Sequence, residues 1–256
     1  LGVRIAPDAG TEEMLDCLAG EIRRASTGSL VGLYLYGSLA AGDFEPERSD
    51  IDLLAVVSSG VEGEAFDRLD DMHGRIVEDY PAWENRIEVA YVSVMALRKF
   101  KTETSEIAVI SPGEPFHLKE AGRDWLINWH MVREAGVALF GPPPGDLIPA
   151  TSKAEFVEAV RKQSGDWADW VHGMRTPGAR SYAIVTMCRA LYACAHGEQA
   201  SKKMAASWAQ ECLPQCAPLI RRAWSWRSGA PEEGTDDEPT HSETVRFVHD
   251  VIGRIT

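Results

Sequence analysis

The feature that most constrains this chain is the run Leu33-Tyr-Leu-Tyr-Gly37-Ser38, followed ten residues later by Ser49-Asp50-Ile51-Asp52-Leu53-Leu54-Ala55-Val56-Val57. It reads as a strand, a small-residue loop, an excursion, and a second strand that opens with two carboxylates. Side chains alternate faces along an extended strand, so Asp50 and Asp52 point one way while Ile51 and Leu53 point the other, into a core. Two carboxylates on one face can share a divalent cation. Hard oxygen ligands suit Mg²⁺, which takes one or two protein carboxylates and completes its shell with water and substrate phosphates. Gly37 permits close backbone approach, and Ser38 offers a hydroxyl and N–H groups to phosphate oxygens. Asp-x-Asp alone is also the pattern of a solvated strand end. The Gly-Ser pair upstream, Ser49 directly before the first aspartate and the apolar strands on both sides point instead to a site.

A third acidic residue falls in Arg86-Ile87-Glu88-Val89-Ala90-Tyr91-Val92, a β-rich run in which Glu88 faces opposite to Ile87 and Val89. Two roles fit it: a further metal ligand beside Asp50 and Asp52, or a general base accepting the proton of an incoming hydroxyl. A surface glutamate on an edge strand has the same pattern.

The remaining sequence divides at Gly141-Pro-Pro-Pro144-Gly145, a rigid punctuation after the short strand Val137–Phe140. Before it, residues 1–150 are expected to form a mixed α/β domain, its sheet flanked by helices. Met14, Leu15, Leu18 and Ile22 mark a helix behind Thr11-Glu12-Glu13 that ends near Gly28. Phe66, Leu69, Met72 and Ile76 mark a second over 62–79, stopped by Pro81, and a third spans 124–136. Between Met95 and Gly122 periodicity fades around Pro112-Gly113-Glu114-Pro115, and the expectation there is a loop that carries substrate contacts. After the proline cluster, residues 151–256 read as an all-α helical bundle, with helices over 153–171, 180–196, 201–213, 218–226 and 241–255. Ser228 to Thr240 is acidic and rich in Gly and Pro, the composition of a mobile loop.

At 256 residues and 45% hydrophobic content the chain can build two modest cores. No apolar run approaches the roughly 20 residues a membrane helix requires, and Leu1-Gly-Val-Arg-Ile-Ala-Pro lacks a signal-peptide pattern. A cytoplasmic protein is expected. The five cysteines have neither disulfide-framework nor metal-ligand spacing and read as reduced thiols. A net charge of -13 argues against tracking a nucleic-acid backbone, which rests on clustered Lys and Arg, and suits a cationic small molecule.

The segment from Gly37 to Asp52 resembles the nucleotidyltransferase superfamily related to polymerase β. Two further segments, Ser181-Tyr-Ala-Ile-Val-Thr-Met-Cys-Arg189-Ala-Leu-Tyr192 and Gln199-Ala-Ser-Lys202-Lys-Met-Ala-Ala-Ser-Trp208-Ala, narrow the match. With them the chain resembles the aminoglycoside 3''/9 adenylyltransferases, from about Leu33 to the C-terminus. The resemblance implies a monomer that binds ATP and Mg²⁺, two ions, in its first domain, with the helical domain closing the active-site cleft. Carried over by position, Gly37, Ser38 and Ser49 approach the triphosphate and Asp50 and Asp52 bind metal. Glu88 joins them and serves as catalytic base, while Arg189 and Lys202 reach the phosphates. The implied reaction moves AMP from ATP to a hydroxyl of a small cationic acceptor such as spectinomycin or streptomycin, and releases pyrophosphate. Streptomycin-handling members carry an acidic residue about ten positions before the arginine, where this chain has Ala179; Trp125, Trp129, Trp167 and Trp170 are candidates for drug contact by neighbourhood alone.

Other readings compete. A protein or RNA acceptor keeps the same chemistry, as in regulatory or toxin-antitoxin nucleotidyltransferases. Arg189 and His196 show an Arg-x6-His spacing seen in helical ribonucleases, although Ala190 stands where a polar residue is expected and His196 beside Gly197 also reads as a helix end. A nucleotide binder without catalysis is a further alternative.

Overall fold

The computed structural model describes residues 7–227 and 237–256. It divides into two compact units, Leu1–Thr151 and Ser152–Thr256. Most of the acidic loop expected before Thr240 lies outside the described residues.

The first unit is a mixed sheet with helices on both faces. Helix α1 (Ala9–Ala25) begins where the Asp8 side chain accepts the N–H of Thr11, and leads into β1 (Leu30–Tyr36). A single turn, α2 (Gly37–Ala40), follows at once, and the chain returns antiparallel as β2 (Ile51–Val57). Helix α3 (Glu64–Asp79) then crosses over, and β3 (Ile87–Ser93) runs parallel to β2, as a strand must when a helix carries the chain back to its starting edge. After α4 (Val94–Lys99) come β4 (Ser105–Ser111) and β5 (Glu114–Ala121), an antiparallel hairpin; α5 (Leu126–Ala135) and β6 (Val137–Phe140) complete the sheet in the order β5-β4-β3-β2-β1-β6. A short turn, α6 (Pro144–Leu147), follows.

One face of this sheet is the core anticipated from the strand alternation. Leu33, Leu35, Ile51, Leu53, Ile87 and Val89 pack there against Met14, Leu18 and Ile22 of α1 and Leu69, Met72 and Ile76 of α3. On the same face His73 meets Tyr91 Oη through Nε2 at 2.8 Å, among the rings of Tyr91 and Phe116. Burial lowers the His73 pKa to about 4. The α5 residues Leu126, Trp129 and Val132 are buried as well.

The stretch between Met95 and Gly122 is corrected: it is not a loop but a helix and two strands. Pro112-Gly113 is the two-residue turn joining β4 to β5, with Ser111 paired to Glu114 and Gly113 at φ 80°. Periodicity hid these strands because β5 is an edge. Of its eight residues only Phe116 and Ala121 are buried, and the others include Pro115 and charged side chains that guard an open strand edge.

The second unit is helical: α7 (Lys153–Trp170), α8 (Pro177–His196), α9 (Lys202–Cys212), α10 (Ala217–Arg227) and α11 (Asp237–Ile255). Ser152 and Glu155 form a reciprocal capping box on α7, Thr176 caps α8, and Gly197 ends α8 in the left-handed conformation. Helix α8 is the axis of the unit, buried from Arg180 to Ala193 on several sides and packed by each of the others. Pro214 stops α9 from continuing, and a 3-10 turn carries Cys216. All five cysteines are free thiols, and no helix among the described residues is long and apolar enough to cross a membrane.

Candidate active site

Strand register assembles the site. Tyr36 closes β1, Asp52 enters β2 and Glu88 enters β3; Tyr36 is paired with Asp52, and Asp52 with Glu88. In-register residues on neighbouring strands share a face, so these three form a row on the side of the sheet opposite the main core. Asp52 and Glu88 are half-buried. Asp50 lies just before β2, two residues from Asp52, and its charge is felt at Glu88.

The turn that follows β1 is built around Asp52. Gly37 has φ 69°, and a Cβ there would stand 1.9 Å from Asp52 Oδ2. Only glycine combines that backbone with that closeness. Ser38 follows on the same turn, and its carbonyl accepts the N–H of Asp43. Ser49 is buried; its hydroxyl accepts the Glu45 N–H at 2.9 Å and so folds the segment that delivers Asp50. Arg86 pins this segment from the other side, donating through Nη2 to the carbonyls of Ser49 (2.7 Å) and Pro46 (2.5 Å) while its guanidinium lies over Trp83. The loop before Asp50 and the strand bearing Glu88 are thereby tied together.

Glu88 is a perturbed carboxylate. Burial raises its pKa from the ordinary carboxylate value, the Tyr36 hydroxyl counters by donating a hydrogen bond to Oε1 at 3.2 Å, and the negative charge of Asp50 raises it again. Lys119 of β5 pulls the other way. Buried Tyr36 keeps its proton, its pKa held far up by burial and by the charges of Glu88 and Asp52. A carboxylate that resists ionisation beside two others is in the condition that a bound cation relieves.

Among the described residues no three His, Cys, Asp or Glu side chains close into a ready cage for a metal ion. The arrangement instead fits an ion held by a pair of carboxylates and completed by substrate oxygens, which is how Mg²⁺ is commonly bound. Hard oxygen donors and the glycine cradle against Asp52 are consistent with that.

In the helical unit, Arg189 is half-buried and donates to the Ala200 carbonyl at 3.3 Å; with the Gln199 amide oriented oxygen-inward it also donates to that oxygen. The Ser201 hydroxyl then caps α9, of which Lys202 is the first residue. Arg189 is thus bound to the link that ends in Lys202, and its partners include neutral carbonyls. His196, the other half of the Arg-x6-His spacing, packs its ring on Tyr192 at 4.2 Å and Trp208 at 5.1 Å. Of the four tryptophans, Trp129 and Trp167 are core residues, Trp125 is stacked on Trp129, and Trp170 is exposed. Tyr36, Arg86, Lys119 and Asn128 were not anticipated. The one available signal was Tyr36, placed immediately before Gly37 and in phase with the strand.

Residues 18–116 match the family model of a nucleotidyltransferase domain, and residues 146–254 match that of the aminoglycoside adenylyltransferase C-terminal domain. In chain order, then, a match to a nucleotidyltransferase domain is followed by a match to an aminoglycoside adenylyltransferase C-terminal domain. An aminoglycoside (3'') (9) adenylyltransferase of Escherichia coli is 28% identical over 99% of this chain and 98% of its own length, and one of Klebsiella pneumoniae is 27% identical over the same shares. The solved structure of the spectinomycin adenyltransferase AAD(9) from Enterococcus faecialis, with ATP and spectinomycin, superposes with a TM-score of 0.77 over 94% of this chain and 99% of that one, at 18% identity. The chain therefore shares the fold of that protein. With its nucleotidyltransferase domain and these similar proteins, the chain is a nucleotidyltransferase, an enzyme that transfers AMP, and the similar proteins give no support to a protein or RNA acceptor.

Proposed function

We propose that this adenylyltransferase transfers AMP from ATP to a hydroxyl of an aminoglycoside or aminocyclitol, as a cytoplasmic monomer. The observation that carries the reading is the in-register row of Asp52 and Glu88 beside the Gly37 turn. Asp50 and Asp52, with Glu88 at their edge, are the residues that would hold Mg²⁺, two ions with the triphosphate in place. Bound there, magnesium supplies charge neutralisation on the phosphates. Glu88 takes the proton of the acceptor hydroxyl as its oxygen forms a bond to the α-phosphorus and the bond to pyrophosphate breaks. The raised proton affinity of Glu88 suits that task. Gly37, Ser38 and the loop folded by Ser49 meet the triphosphate, and Arg189 and Lys202 offset the charge on departing pyrophosphate. The acidic balance of the chain supports a cationic acceptor.

The test is pyrophosphate release from ATP and Mg²⁺ across a panel of aminocyclitols and aminoglycosides. Spectinomycin or a near relative is expected to stimulate release, and no response from any member would refute the acceptor class. Replacing Glu88→Gln is expected to lower turnover by about 10²- to 10⁴-fold, the usual worth of a general base, with the ATP-induced rise in Tm retained. Unchanged turnover would remove Glu88 as the base.

A further inference from the structure

We propose that Tyr36 and Asn128 are positioning residues for the Glu88 carboxylate, linked to it as a directed hydrogen-bond chain from α5 through β1 to β3. The inference rests on the proposed role of Glu88 and adds what holds that group in place. Tyr36 is 3% exposed and ends β1, so its ring is fixed by the sheet rather than by a mobile loop. Its hydroxyl crosses the row to donate to Glu88 Oε1 at 3.2 Å. A phenol that donates its only proton still has its oxygen to accept, and Asn128 is the side-chain amide beside it that can donate there. Asn128 sits on α5 between Leu126 and Trp129, both buried to within 1% exposure, so the helix that carries it is anchored.

The direction of the chain matters. Asn128 can give a proton to Tyr36 without needing one back, which leaves the Tyr36 proton committed to Glu88. One oxygen of Glu88 is thereby occupied as an acceptor, and the carboxylate rotation is set so that the second oxygen is the one presented. A base that must be within hydrogen-bond reach of a substrate hydroxyl gains from such fixed aim. A tyrosine kept only for packing would have no need of a buried hydroxyl in this place, since phenylalanine fills the same space without desolvating a polar group.

The experiment compares Tyr36→Phe, Asn128→Leu, Glu88→Gln and the double variant Tyr36→Phe with Glu88→Gln, using kcat and KM for ATP and for the responding acceptor, with Tm as a control of folding. Tyr36→Phe is expected to lower kcat by about 10- to 100-fold, the worth of a hydrogen bond to a charged group, while KM for ATP holds. Asn128→Leu should act in the same sense by a smaller factor, about threefold to tenfold for a neutral bond one step removed. Because the effect runs through Glu88, Tyr36→Phe should cost nothing further in the Glu88→Gln background. A kcat for Tyr36→Phe within twofold of the parent, or an equal loss in the Glu88→Gln background, overturns the inference while the base reading survives on the collapse of Glu88→Gln alone. Near-normal turnover in Glu88→Gln overturns both. Should Tyr36→Phe fail to fold, Asn128→Leu decides by the same split between kcat and KM.

Discussion

The two units of this protein place charged side chains by different means. In the sheet unit, Asp52 and Glu88 stand together because two strands are in parallel register, and a shift of one residue would turn either carboxylate into the apolar core. In the helical unit, Arg189 lies on a helix that is buried on several sides, and its guanidinium is held by carbonyl groups of the link to α9. A sheet can bring acidic groups into a row without desolvating them fully, whereas a cation on a central helix must first be satisfied by its own surroundings. Geometry therefore governs the first unit and internal pairing the second.

That contrast is most easily broken at Gly37. Gly37→Val forces a branched side chain into a left-handed backbone and onto the Asp52 carboxylate. Turnover is expected to fall about 10²- to 10³-fold, since an ångström of displacement at a reacting site costs on that order, with about 1–3 kcal/mol of stability lost to strain. Steady-state kinetics beside a denaturation curve will separate the two effects; retained turnover would mean that the turn is not part of the site.

The opposite face of the same sheet should answer to pH rather than to substrate. His73 is neutral when folded, with a pKa near 4, and ordinary when unfolded. Below pH 6.5 the unfolded chain binds the additional proton, so stability falls as pH falls, and the contribution of this group is fully lost below pH 4, where the decline levels off. Between pH 7 and 5 this group contributes a decline of about 2 kcal/mol. His73→Gln should flatten that slope in urea unfolding at the two pH values, and an unaltered slope would assign the acid sensitivity elsewhere.

The smallest effect is expected in the helical unit. Arg189→Met removes the hydrogen bonds to the α8–α9 link together with the cation proposed for the triphosphate. Unfolding free energy should drop by about 1–2 kcal/mol, and KM for ATP should rise about tenfold, the worth of one charge-assisted contact. A loss of stability with KM unaltered would confine Arg189 to the link and sharpen the difference between the units.

Much of this organisation was legible without coordinates. Alternation in Ile51-Asp52-Leu53 and in Ile87-Glu88-Val89 put the carboxylates opposite the core. Helical spacing located α1 and α3 because each buries one regular stripe, and α8, buried on several sides, was marked instead by its long apolar run between Thr176 and Gly197. The hairpin of β4 and β5 was missed, since an edge strand armed with Pro115, Glu114, Lys119 and Glu120 has no alternation to detect.

What a sequence determines by itself is local: which side of its own strand a residue occupies, where a helix can begin, where glycine alone is tolerated. Which strand lies beside which, and in what register, is decided by packing between segments far apart in the chain. For that reason Asp52 and Glu88 could be named as candidates from their own neighbours. The hydroxyl of Tyr36 on Glu88, the grip of Arg86 on the Ser49 loop and the Asn128 contact from α5 exist only once the sheet has closed.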